Sequence, residues 1–517
     1  MRRNNRREFL AGVGRGMLVA GVGYSVAVDM GLSPAFADDG KETLSFGPLE
    51  PLAAMMQETP VDRILPAVVE RLASGVELGQ IVAAAALANA RTFGGEDYIG
   101  FHTFMALSPA YHMSQELPAD RRALPVLKVL YRNTNRLHEM GGRSREVLHP
   151  VKAAAPEGRS TAEAINDAIH RSDAAAGEQA LAAAAAESPE GAWNDLLQSV
   201  EESPDVHRVV LAYRSWDMLG LVGREQAETM LRQSLRYCVK NEQHRVKYMN
   251  EPRTLLPKVL DQFKLIGKPR GTRRADDAWI ESMSQTLFTS TQSQAAEAVA
   301  AALAEGMAPE SVAEAISLTA NQLVLRDGGR PAGQAQANKP IGSVHGDSIG
   351  VHASDSANAW RNIALASNDR NRAASLVLAG YQVALDRVQR GGNFLEWKPR
   401  PYVEELAALP VRSGDELLKD LDGAIREKNQ NLACALVHRY GESGYDSRPV
   451  FDALLKYAIS EDGALHAEKY YRTVSDEFAA SRPAFRWRQL TALARVTASE
   501  CGQPAPGYQQ ACELLKV

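Results

Sequence analysis

The tetrapeptide Ile99-Gly100-Phe101-His102 returns downstream as Ile349-Gly350-Val351-His352. Histidine is the commonest transition-metal ligand and the side chain that titrates nearest neutral pH. A glycine beside it leaves room for a second backbone or a ligand. Two such sites 250 residues apart have two readings. Either a duplicated helical fold repeats a packing histidine, or His102 and His352 meet as the catalytic centre of one site.

Further ligands lie close in sequence. His112 follows His102 by ten residues, near three helical turns, with Pro109 expected to kink the helix between them. The corresponding place in the second copy holds Trp360-Arg361 against Tyr111-His112, so aromatic-then-basic recurs without the imidazole. His345 precedes His352 in "VHGDSIGVH", with Asp347 between them and Asp355 a turn beyond. Histidines and a carboxylate in such reach form an acceptable set for iron, manganese or zinc. The candidate metal ligands are therefore His102, His112, His345, His352 and Asp347. A second polar motif, His-x-x-Lys-Tyr, occurs at His244/Lys247/Tyr248 and at His466/Lys469/Tyr470. On a helix its His and Lys share a face, making these four side chains candidates for anion binding, or else part of a solvated surface. No G-x-S-x-G elbow, P-loop or strand-borne G-x-G-x-x-G is present, which leaves nucleotide-dependent chemistry without support.

The elements that must position these residues read as helices. Ala-rich segments such as "VVERLASGVELGQIVAAAALANARTF" repeat apolar residues at three- and four-residue steps, and alternating β-branched runs are scarce. The predicted fold is all-α, as two homologous multi-helix halves fused by internal duplication. Four collinear matches carry the duplication: Leu72-Gly75 with Leu303-Gly306, His102 with His352, Asp120-Arg121 with Asp369-Arg370, and His244 with His466. The halves span 38–267 and 277–517, joined through "KPRGTRRAD" near 268–276, with a further boundary at 390–401. A loop with six glycines between Gly328 and Gly350 is long enough to be functional. The Ala-rich stretch 150–192 reads as a tether or an exposed helix.

The amino terminus directs the chain elsewhere. Arg6-Arg7-Glu8-Phe9-Leu10 looks like a twin-arginine export signal, followed by a weakly apolar run from Gly16 to Val28 and an Ala35-Phe36-Ala37 cleavage site. Residues 1–37 are the expected signal peptide, and the expected location is the periplasm. The net charge of −5 becomes more negative without that arginine-rich leader, which argues against nucleic acid as a partner. No later run of 18 apolar residues predicts a membrane span. Of the four cysteines, Cys501 and Cys512 could pair in an oxidising compartment, and Cys238 and Cys434 read as buried thiols.

The segments "GFHTFMALSPAYHMS" and "GVHASDSANAWRNIA", with the helices around them, resemble a group of exported bacterial helical proteins and, more remotely, the questin oxidase-like family. That resemblance covers about a quarter of the chain and implies an oxygen-dependent oxidation of the Baeyer–Villiger type on a polyketide. The resulting expectation is a periplasmic metal- or redox-dependent enzyme acting on a small organic substrate at a His-lined site between the halves. The alternatives are a non-catalytic scaffold or binding subunit with a periplasmic protein partner, and an anion-binding protein.

Overall fold

The computed structural model describes residues 42–389 and 391–517. The expected export signal and cleavage site lie outside these residues. The described chain is all-α: its only β pairing consists of isolated bridges. Among the described residues no helix is long and apolar enough to cross a membrane. Leu44–Val517 form one compact unit. The stretch 268–276 is a connection within it, held where Arg273 N donates to Gly306 O at 3.0 Å.

Ten helices position the site: α1 (Leu78–Phe93), α2 (Tyr98–Gln115), α3 (Leu124–Glu139), α4 (Val206–Asp217), α5 (Ala227–Tyr248), α6 (Pro309–Arg326), α7 (Ile349–Ala366), α8 (Asp369–Gln389), α9 (His466–Ala480) and α10 (Arg486–Glu500). Helix α2 packs on α1 and α3, and α7 packs on α6 and α8. Helices α4 and α9 each contact both α2 and α7, so α2, α4, α7 and α9 close into a ring of four. Their starts are set by side chains. Asp97 accepts from Gly100 N at α2, Asp205 from Arg208 N at α4 and Ser348 from Val351 N at α7, each satisfying an amide that the helix leaves open. Helix α2 runs through Pro109 without a break.

The glycines of the repeated motif are packing residues. A Cβ on Gly350 would stand 2.6 Å from Val324 N and 2.7 Å from Leu323 C, backbone atoms of α6. On Gly100 it would stand 2.5 Å from the Phe93 ring. Backbone cannot yield as a ring can. Gly350→Ala should therefore destabilise by about 1–3 kcal/mol in urea unfolding, and Gly100→Ala by less. The reverse order would mean that α6 and α7 are not held at this distance.

One expectation is corrected, and one left open is resolved. The stretch 150–192 is not a tether: it holds helices Thr161–His170 and Ala174–Glu187 and the start of Pro189–Val200. Their buried Ile165, Leu181 and Trp193 join the core. Small alanines bury as well as leucines do when a neighbour comes close, but they carry a weak periodic signal. All four cysteines are free thiols, with Cys501 buried and Cys512 half-buried.

Candidate functional site

Each helix of the ring of four contributes one histidine from its opening turns: His102 from α2, His207 from α4, His352 from α7 and His466 from α9. Side chains on a helix lean toward its amino end, so the four imidazoles gather where the four helices begin. Ring centroids lie 4.9 Å apart for His102–His207, 5.8 Å for His207–His352, 5.5 Å for His352–His466 and 5.5 Å for His466–His102. His352 Nε2 and His466 Nε2 are 3.5 Å apart. Three of the four residues are no more than 7 % exposed, and His207 is half-buried. The exposed Tyr98 ring covers His102 at 4.4 Å.

Local bonds set the tautomers. His102 Nδ1 lies 2.7 Å from Tyr98 O and His466 Nδ1 lies 3.1 Å from Ala464 O. A carbonyl only accepts, so in both rings Nδ1 carries the proton and Nε2 presents a lone pair. His102 Nε2 is buried with no hydrogen-bond partner. His207 Nδ1 is 3.7 Å from Asp205 Oδ1, and Asp205 is itself held by Tyr237 Oη at 2.7 Å. Burial first, then the Lys469 ammonium, holds His102 and His466 well below the usual imidazole range. Both are neutral and able to ligate. As they stand, however, no group of three or more His, Cys, Asp or Glu side chains among the described residues is in position to hold a metal ion.

A polar column continues below the tetrad along the axis of the four helices. Lys469 is 3 % exposed, and burial, opposed by Asp355, pushes its ammonium down to about 8. Asp355 Oδ1 accepts from Thr473 Oγ1 at 2.8 Å. Further down, Arg214 pairs with Asp217 at 3.3 Å, which also accepts from Ser108 Oγ, and Arg361 pairs with Glu477 at 2.9 Å.

Of the five candidate metal ligands only His102 and His352 come together, and they are joined by His466 and Lys469 from the anion-binding candidates. His112 sits lower on α2, where burial and then Arg472 lower its affinity for a proton. His345 turns toward Glu500, its Nδ1 3.8 Å from Oε1. Asp347 is engaged by Arg330 at 2.8 Å and Lys339 at 2.9 Å, cations of its own loop. His244 and Lys247 are exposed near the end of α5, with Lys247 over the Tyr248 ring at 4.7 Å. The pairing of His244 with His466 therefore joins a surface residue to a buried one. The ring's fourth histidine is His207, at a helix start like His466, and sequence reasoning overlooked it. One signal was available: His207 and Asp217, like His466 and Asp476, are ten residues apart, at a common offset of 259.

Two cavities are open nearby and farther off. One of about 450 Å³ is walled by Gly328, Arg330, Asp347, Ile349, Phe394 and Trp397. A larger one of about 690 Å³ lies around Arg270, Arg274 and Arg482, and neither cavity is lined by any of the four histidines. Compared with known proteins, the chain matches no family model, no curated protein and no solved structure.

Proposed function

We propose that this chain is an exported metal-dependent enzyme acting on a small organic substrate, its ion held by His102, His207, His352 and His466. The observation that carries the reading is the buried, partnerless Nε2 of His102 on a ring packed against the imidazoles of His207 and His466. Left as it is, that nitrogen forfeits about 1–3 kcal/mol, and a shared ion would recover it. One pair of rings already has the spacing an ion needs. With metal–nitrogen bonds near 2.1 Å in tetrahedral array, ligand nitrogens stand about 3.4 Å apart, against 3.5 Å for His352 and His466. The remaining rings must swing inward to close the set. Backbone carbonyls on the far nitrogens of His102 and His466, and Asp205 beside His207, are the outer partners that metal-binding histidines require.

A bound ion would supply Lewis acidity, and iron or manganese would add electron transfer suited to the oxygenase-type reaction that the questin oxidase-like resemblance implies. The chain's own contribution is orientation and shelter. The 450 Å³ cavity is of the size that takes small organic molecules. Its wall residue Ile349 stands three positions before His352, on the same helical face. Export rests on Arg6-Arg7 and Ala35-Phe36-Ala37, and it fits a protein carried folded with its ion in place.

Metal analysis of protein purified from its native compartment, without chelator, tests this. About one iron, manganese or zinc ion per chain is expected. His207→Ala and His102→Ala should weaken metal retention at least 10-fold, and His112→Ala and His244→Ala should leave it unchanged. A metal-free protein that takes up none of these ions would overturn the reading and favour a non-catalytic scaffold.

A further inference from the structure

We infer that the histidine tetrad takes its ion together with a small anion, and that Lys469 holds that anion. The inference rests on the metal reading above and adds to it the charge of the second ligand.

Two lysines among the described residues are almost fully buried, and they are treated differently. Lys128 donates to Ala458 O at 2.8 Å and stands 2.7 Å from Glu468 Oε1. Lys469, 3 % exposed, makes no hydrogen bond or ion pair with any described residue; Asp355, whose charge acts on it most, accepts at Oδ1 from Thr473 Oγ1 instead. An ammonium largely withdrawn from water without a protein partner is costly, and a bound anion would supply that partner. Lys469 follows His466 by three residues, so its stem runs along the face of α9 that carries that ring. Its charge is the largest influence on both His102 and His466 after burial itself.

The helix ends act in the same direction. Each amino end carries about half a positive charge. Side chains cap α2, α4 and α7, but α9 has no side-chain cap: its N-cap is Leu465, in the left-handed region at φ 66°. The end without a side-chain cap is thus the one bearing His466 and Lys469, and the acid in its first turn, Glu468, is paired with Lys128. Four neutral imidazoles bring no negative charge to a divalent ion, and the ammonium beside them adds repulsion. An anion between ion and ammonium removes both penalties. The chemistry recognised is a compact oxyanion or its analogue, supplied either as an inorganic ion or as the carboxylate or enolate end of an organic substrate.

Cobalt(II)-loaded full-length mature protein provides the test, through its visible ligand-field spectrum. Azide, standing for a small inorganic anion, and acetate, standing for a carboxylate, are titrated separately. A response to azide alone points to an inorganic ligand, and a response to both to one that includes substrate carboxylates. Lys469→Met should bind as much cobalt and weaken the anion at least 10-fold, with Lys469→Arg intermediate. If neither anion changes the wild-type spectrum, the inference fails whatever the variants do. Equal anion affinity in Lys469→Met also overturns it and leaves the metal reading intact, whereas a wild-type protein that takes up no cobalt overturns both.

Discussion

Lys128→Met should lower the stability of the folded chain by about 3–5 kcal/mol, the usual consequence of stranding one member of a buried ion pair. Lys128 on α3 and Glu468 on α9 are 1 % and 0 % exposed in their side chains. No other donor among the described residues bonds the Glu468 carboxylate. Methionine replaces the lysine stem but leaves Glu468 charged and dry. The pair also ties the first part of the chain to α9, and with it to His466, so the lesion should loosen the tetrad. Urea unfolding of Lys128→Met and of Lys128→Met/Glu468→Leu separates charge from packing. The double variant should recover most of the loss, because two apolar side chains need no partner. A single variant within about 1 kcal/mol of wild type would show that water already reaches Glu468.

The helical class was legible because three- and four-residue apolar spacing survives even in alanine-rich segments, where the structure buries residues 81–93 of α1 all round. The His102–His352 relation was legible because glycine and histidine are both informative letters, and Gly350 is fixed by the α6 backbone against it. His207 was not. Its match to His466 consists of a histidine and an aspartate ten residues on, while His244 offered a longer but superficial match in His-x-x-Lys-Tyr. Burial decides between them: His466 is buried and His244 exposed, a difference no pattern of residue types contains. Asp347 misled for a related reason. It lies beside a histidine in sequence, but Arg330 and Lys339 in the same glycine-rich loop fold back onto it. The partner of a charged side chain is a tertiary fact.

The acid–base balance around that loop leads to the second large effect, a stability difference at Glu500 that depends on pH. Glu500 closes α10, and its Oε1 accepts from Gly346 N at 2.7 Å. Burial pushes its carboxyl up to about 7, opposed by that amide and by Lys128. A carboxyl raised from 4.5 keeps its proton in the folded chain while the unfolded chain has lost it. Folding stability therefore declines as pH rises from about 4.5 to 7, and above 7 the full penalty stands. At 1.36 kcal/mol for each pKa unit it amounts to about 3 kcal/mol. His345, 3.8 Å away, works in the opposite sense. Burial lowers it to about 4, so its contribution is complete above 6.5 and is lost as pH falls toward 4. The two slopes oppose each other over the same window, and wild-type stability alone hides both. Glu500→Gln separates them, since the amide oxygen still accepts from Gly346 and carries no charge. The variant should exceed wild type by under about 1 kcal/mol at pH 5 and by about 3 kcal/mol at pH 8, measured by urea unfolding. A difference of constant size across that range would mean that the Glu500 carboxyl keeps its ordinary acidity, and that the loop from His345 to Asp347 does not seal it from water.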